Sequence, residues 1–93
     1  MKNWIQAHPD DDVIVVVHAM QKGDVIHHTG GEIVVNDPVP AFHKVALRDI
    51  KKGQPVHKYA ESIGTASSDI HRGDHVHTQN LESARGRGDE VHA

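Results

Sequence analysis

One local pattern occurs four times in this chain and constrains its fold more than any other feature. An apolar residue is followed three residues later by a glycine or its replacement, and three residues after that by a second apolar residue. The copies are Met20/Gly23/Ile26, Val39/Phe42/Val45, Ile50/Gly53/Val56 and Ile70/Gly73/Val76. Glycine readily adopts the positive φ that reverses a chain, and an Asp before the turn can accept hydrogen bonds from the backbone amides ahead of it. Each copy therefore predicts a tight or 3₁₀ turn followed by a strand.

The spacing of the copies predicts an all-β fold. Successive copies begin 11 to 20 residues apart, which leaves room for one short strand and one connection each. A chain of 93 residues forms one domain with a large surface relative to its core. With one Trp, one Tyr and one Phe, the core must consist of Val, Ile, Ala and Leu. Because such a domain can hardly enclose a substrate-sized cleft, we do not expect catalysis by this chain alone.

Charge and cysteine content exclude several functional classes. The 10 Lys and Arg are interspersed among 13 Asp and Glu, so no basic surface for nucleic acid is expected. No apolar stretch reaches the length of a membrane span, and the amino terminus lacks the pattern of a secretory signal. The absence of cysteine excludes disulfides and thiol chemistry and suits a cytoplasmic protein.

Three segments of the first half have predicted local structures. Residues 13–17 are an unbroken β-branched run, which predicts a central strand that is buried on both faces. Residues 8–12 contain a proline and three aspartates, and we interpret them as a turn rather than a metal site, because adjacent side chains diverge. Residues 25–26 and 33–35 predict two strands of a hairpin, with residues 27–32 as its solvated loop.

Residues 43–66 predict further strands. With a period of two, His43, Val45 and Leu47 share one side of a strand, and Lys44 shares the other with its neighbour at position 46. Residues 56–66 read as a strand, a turn and a short strand, with Lys58 beside the single tyrosine. A lysine there could contact a carboxylate or sulfonate, although most lysines are solvated charges.

An ordered series of motifs resembles one known family. The series comprises HKVALRDIKKG at residues 43–53, KY at 58–59, IG at 63–64, DI at 69–70 and GDHVHTQN at 73–80. It is similar to the SAF domain of the altronate and galactarate dehydratase family, and the resemblance covers roughly residues 4–82. It implies a small all-β SAF, or β-clip, domain over residues 1–82, followed by a flexible carboxyl-terminal tail over residues 83–93.

The resemblance also implies an activity and partners. Families of this kind join the SAF domain to a large catalytic region or encode it separately, as in altronate dehydratase small subunits and the alpha subunit of sulfolactate sulfo-lyase. It implies a small subunit that eliminates water, or sulfite, from a hydroxy acid together with a large catalytic subunit. The shared cofactor would be a divalent metal, Fe²⁺ or Mn²⁺. The competing hypotheses are an assembly module without chemistry and an isolated metal-binding protein. Exposed apolar strand surface on so small a chain also predicts homo- or hetero-oligomerisation.

Within this resemblance, His77 and His75 are the candidate catalytic and metal-binding residues. On an extended segment their side chains lie on one face, about 6 to 7 Å apart, so both imidazoles could reach one cation or one anion. The candidate substrate-binding residues are His43, Lys44, Lys58 and Asn80, with Asn80 expected to orient a neighbour.

Three positions depart from the family pattern. Phe42 stands where glycine is usual, and we expect its ring to pack. Ala60 replaces the glycine after Lys-Tyr. Gln79 replaces a histidine and so removes one imidazole that could have been a ligand.

Overall fold

The computed structural model describes residues 3–58 and 61–83. Within these residues the chain forms nine short strands and no helix, which confirms the predicted all-β class. The strands are β1 (Trp4–Ile5), β2 (Val13–Val16), β3 (Val25–His28), β4 (Gly31–Val34), β5 (Lys44–Ala46), β6 (Pro55–Lys58), β7 (Glu61–Ala66), β8 (His75–Val76) and β9 (Leu81–Ser83). They form antiparallel sheets in the orders β1-β2-β5-β8, β3-β4 and β6-β7-β9. No helix in the described part of the chain is long and apolar enough to cross a membrane.

The four repeat copies all form the predicted turns. In each copy a backbone amide donates to the carbonyl three residues earlier, with N···O distances of 2.9 to 3.1 Å. The residue at the glycine position has a φ of 93°, 68°, 89° and 93° in the four copies in chain order. Each is a single hydrogen-bonded turn, and the described residues contain no longer 3₁₀ segment.

The aspartates that precede two of these turns do not act as expected. The carboxylate of Asp49 accepts from the backbone amide of Arg72, and that of Asp69 accepts from the amide of Lys52, both at 2.8 Å. The backbones of Ile50 and Ile70 bond to each other in an antiparallel bridge, so each aspartate lies beside the turn of the other copy. The aspartates therefore join two repeats instead of stabilising their own.

Two similar halves make up the fold. Met20 and Val39 form a bridge in the first half, as Ile50 and Ile70 do in the second, and each bridge flanks a hairpin, β3–β4 or β6–β7. The strands β5 and β8 follow the second turn of each half and pair with each other. Their register, Lys44 with Val76 and Val45 with His75, is reciprocal, as expected for a local two-fold axis between the halves.

Two clusters of buried side chains correspond to the halves. The first contains Trp4, Ile14, Val16, Met20, Ile26, Ile33, Val35, Val39 and Val45, and the second contains Val13, Ala46, Ile50, Val56, Ala66, Ile70 and Val76. The strand β2 contributes Val13 to the second cluster and Ile14 to the first. This confirms the prediction of a central strand that is buried on both faces.

The first hairpin is longer than the sequence predicted. The strands β3 and β4 extend to His28 and Gly31, so only a two-residue turn remains where a six-residue solvated loop was expected. His27 and His28 extend β3, because His27 pairs with Glu32 on β4 and the ring centroid of His28 lies 4.6 Å from that of Trp4. The tail was predicted to begin at residue 83, but Ser83 is the last residue of β9, and residues 84–93 lie outside the described residues.

Candidate functional site

Three histidines meet where β5 begins, because His43 directly precedes β5, His75 begins the neighbouring strand β8 and His77 directly follows β8. The Nδ1 of His43 lies 2.9 Å from the Nε2 of His75, a hydrogen-bonding distance. The ring centroids of His43 and His77 are 4.6 Å apart, and those of His75 and His77 are 5.7 Å apart. The expected proximity of His75 and His77 is present, and His43 completes a cluster of three imidazoles. His43 and His75 are half-buried, whereas His77 is exposed.

The local chain holds this cluster in position. Pairing of Val45 with His75 brings His43 and His75 together across the β5–β8 ladder. The buried side chain of Asn80 accepts from the backbone amide of His77 at 3.0 Å and donates to the carbonyl of His75 at 2.8 Å. The side-chain Nε2 of Gln79 donates to the same carbonyl at 3.0 Å. The side chain of Asn80 therefore fixes the loop that carries the histidines, and its amide group is engaged within that loop.

The protonation state of His75 follows from its surroundings. Burial lowers the pKa of His75, and the neighbouring His43 and His77 lower it further, whereas Asp37 opposes the shift. His75 is therefore neutral at pH 7, and a neutral imidazole can accept a proton or bind a metal.

Two lysines extend the site into a cleft. An open cleft of about 370 Å³ is lined by Lys44, Lys58, Ile63, Val76, His77, Thr78 and Leu81. Lys44 is the cross-strand partner of Val76, and Lys58 ends β6. The sequence-predicted Lys44, Lys58 and His77 thus share one cleft, while His75 and His43 adjoin it through His77. A cleft lined by two lysines together with apolar side chains is suited to a small organic anion.

The described residues contain no group of three or more His, Cys, Asp or Glu that is arranged to hold a metal ion. Two nitrogens bound to one tetrahedral metal lie about 3.3 Å apart, so the 2.9 Å contact of His43 with His75 could open into a ligand pair by a small movement. Imidazoles alone do not select Fe²⁺ or Mn²⁺ over other divalent metals. Such selectivity would require a full set of ligands. The described residues alone therefore do not form a metal site.

Phe42 corrects one expectation. Phe42 is 72% exposed, which shows that its ring does not pack against the rest of the chain as expected. Its backbone nevertheless keeps a φ of 68°, and it is the one residue other than glycine with a positive φ in the described part of the chain. The substitution therefore retains the turn of the glycine copies and places an aromatic ring on the surface. Another departure from the family pattern, Ala60, lies outside the described residues.

A buried carboxylate, Asp12, forms an ionic group with Arg48 and His57 that the sequence does not predict. The carboxylate of Asp12 accepts from Nε of Arg48 at 2.6 Å and from the backbone amide and Nδ1 of His57, both at 2.9 Å. Burial raises the pKa of Asp12, but the hydrogen bonds from Arg48 and His57 and the Arg48 charge outweigh burial, so the pKa is lowered overall. The expected turn at residues 8–12 is present, and Asp12 links it to β6. The partners are 36 and 45 residues away, so no local pattern reveals them.

These features define a small all-β module in which imidazoles and lysines converge on one open cleft. A family model described as the altronate/galactarate dehydratase SAF domain matches residues 2–84, and the chain belongs to this family.

The relatives occur in two forms. Altronate dehydratase of Bacillus subtilis (strain 168) is 39% identical over 83 residues, which are 89% of this chain and 17% of that protein. The altronate dehydratase of Escherichia coli (strain K12) is 36% identical over 80 residues, 86% of this chain and 16% of that protein. The (2R)-sulfolactate sulfo-lyase subunit alpha of Chromohalobacter salexigens is 33% identical over 88 residues, 84% of this chain and 92% of that subunit. The chain thus spans about a sixth of the dehydratases and nearly all of a subunit whose name indicates a partner subunit.

Proposed function

We propose that this chain is the small subunit of a cytoplasmic hydro-lyase that eliminates water from a sugar acid, such as altronate, together with a separate large catalytic subunit. The observation that carries the proposal is the convergence of Lys44, Lys58 and His77 on one cleft, next to the neutral His75. Kinship with altronate dehydratases supports the reaction class. The 92% coverage of a sulfo-lyase alpha subunit supports the small-subunit form.

In this reaction a base removes the proton α to a carboxylate, a carbon–carbon double bond forms as the bond from the β carbon to its hydroxyl breaks, and the hydroxyl takes a proton from a general acid and leaves as water. Lys44 and Lys58 would bind the substrate carboxylate and orient the α carbon toward the imidazoles. His77, the exposed member of the cluster, would accept the α proton, and His75 and His43 would hold its ring in place.

A divalent metal fits this site only in part. His75 and His77 are its proposed ligands in an alternative assignment of the site, in which the base that accepts the α proton and the remaining metal donors would both come from the large subunit. Bound there, Fe²⁺ or Mn²⁺ would stabilise the negative charge that develops on the substrate.

The test is turnover of altronate, galactarate and sulfolactate, with Fe²⁺ or Mn²⁺ supplied, by the chain alone and by its complex with the large subunit. We expect turnover only in the complex, and a loss of at least ~100-fold for His77→Ala with the complex intact. His27→Ala is the matched control, because His27 is an exposed histidine on β3, in a sheet that pairs with neither β5 nor β8. Equal turnover by the His77 variant would leave this chain as an assembly module.

The second candidate is the alpha subunit of a sulfolactate sulfo-lyase, in which sulfite leaves in place of water. It is favoured by the similar length of the Chromohalobacter salexigens subunit. The same assay separates the two, because sulfite release from sulfolactate without turnover of altronate would identify the sulfo-lyase.

A further inference from the structure

Phe42 combines two features that a surface residue rarely has together. Its φ of 68° lies in the left-handed region, where a side chain is strained, and 72% of the side chain is exposed to solvent. Neither feature stabilises the isolated chain, since the ring buries little surface and glycine would adopt the same backbone without strain.

The surrounding backbone keeps Phe42 in this conformation. Its amide donates to the carbonyl of Val16 at 2.6 Å, and the amide of His43 donates to the carbonyl of Pro40 at 3.1 Å. The turn is therefore fixed on β2 from one side and closed by its own hydrogen bond, so the strain cannot relax by a small rotation.

The corresponding turn in the other half of the fold differs from the turn at Phe42. Gly73 occupies the corresponding position between Ile70 and Val76, with a φ of 93°, and its turn is covered by β4. The turn at Phe42 is instead open, and its next residue, His43, contacts the rings of both His75 and His77. An aromatic side chain thus projects from the backbone that carries the site.

We propose that Phe42 anchors this chain to the large subunit by inserting into an apolar recess at the margin of the shared active site. The inference rests on the proposed function, which requires a second polypeptide to complete the cleft. Large aromatic side chains are typical anchors of protein interfaces, and a rigid turn presents one at little cost in conformational entropy. Anchoring next to His43 would set the distance between the imidazoles and the groups supplied by the partner.

The experiment compares Phe42→Gly, Phe42→Ala and Phe42→Leu in the full chain by thermal unfolding and by affinity for the purified large subunit. Glycine relieves the strain and removes the ring, so we expect its Tm to rise by about 2–5 °C while its Kd increases at least ~10-fold. Alanine keeps the strain, so it should weaken binding with little change in Tm, and leucine should retain most of the affinity. Val25→Thr is the control, because it removes an exposed apolar side chain from the separate β3–β4 sheet.

A higher Tm together with weaker binding is a combination that a purely structural residue would not produce. Binding of Phe42→Gly within twofold of the wild type would overturn the inference while leaving the proposed function intact. A lower Tm for this variant would also overturn it, since the ring would then be packing on its own chain. If the wild-type chain binds no large subunit, both the inference and the proposed function fail.

Discussion

Replacing Gly73 by alanine should destabilise this domain far more than the same replacement at Gly53, although the two glycines occupy equivalent turns. Their φ values, 93° and 89°, are nearly the same, so the backbone strain added by a side chain is common to both. The surroundings differ. A Cβ at Gly53 would meet no atom within 4 Å, whereas a Cβ at Gly73 would lie 2.2 Å from the carbonyl oxygen of Val34.

The magnitude follows from these two contributions. A side chain in the left-handed region costs about 1–2 kcal/mol, and reduced freedom of the unfolded chain returns about 0.4–1 kcal/mol, so Gly53→Ala should cost roughly 1 kcal/mol. At Gly73 the overlap requires a movement of about 1 Å, since carbon and oxygen ordinarily approach to about 3.3 Å, and overpacking of this kind adds roughly 1–3 kcal/mol or more.

The turn has little room to move away from β4. The amide of Gly73 donates to the carbonyl of Ala46 at 2.9 Å, and its carbonyl accepts from the amide of Asn36 at 3.0 Å. The amide of Ala46 also donates to the carbonyl of Asp74 at 2.9 Å. Moving the turn would break bonds to β5 on one side or to residue 36 on the other, so we expect a total cost of about 3–4 kcal/mol.

Urea and thermal unfolding followed by circular dichroism provide the measurement. For a domain of this size, 1 kcal/mol corresponds to a Tm change of about 4–8 °C, so Gly53→Ala should lower Tm by about that amount and Gly73→Ala by at least about 12 °C. Gly23→Ala is a second control, because a Cβ there also meets nothing within 4 Å. If the three variants unfold within about 3 °C of one another, the contact with Val34 does not limit the turn and the reasoning is wrong.

Three further predictions concern ionisation and the loop that carries the site. Asp12→Asn should destabilise the domain by about 2–4 kcal/mol at pH 7, because Arg48 loses its buried partner. Since the pKa of Asp12 is lowered in the folded state, the difference in stability between wild type and variant is complete above about pH 4. Urea titrations should show this difference shrinking as the pH falls further. The pKa of His75 is also lowered in the folded state, so the unfolded state binds more protons. The stability of the wild type should therefore rise with pH up to about 6.5 and then level off. His75→Gln should show a smaller slope of stability against pH between pH 5 and 7. Asn80→Ala should cost about 1–3 kcal/mol in urea unfolding and reduce turnover of the complex, while Gln79→Ala, at an exposed position, should do neither to a comparable extent.

The fold was predictable from the sequence because its determinants are local. Each turn depends on a glycine-like conformation within four residues, and each hairpin on two apolar runs with a turn between them. The alternation predicted for residues 43–47 is present, with Val45 and Leu47 in the first cluster and Ala46 in the second. The error at His27 and His28 came from treating polar residues as loop, although a strand with one solvated face accommodates them.

The candidate site was only partly predictable because it depends on pairing between distant segments. His75 and His77 are neighbours in sequence, but His43 joins them only through the β5–β8 register, across 32 residues. Asp12, Arg48 and His57 meet in the same way. The exposure of Phe42 was not predictable for a different reason, since an aromatic residue in an apolar repeat ordinarily packs, whereas this one is exposed to solvent.

Departure from the two-fold relation between the halves accounts for where the site lies. In the first half, the amide of Asn36, which follows the β3–β4 hairpin, bonds to the carbonyl of Gly73. The corresponding amide in the second half, that of Ser67, bonds to the carbonyl of Asn80 instead of to the turn at Phe42. The loop over residues 77–80 therefore takes the place that symmetry would give to that turn. This single exchange leaves Phe42 exposed and brings His77 beside His43. The repeat thus produces the fold, and the loop that interrupts its symmetry produces the candidate site.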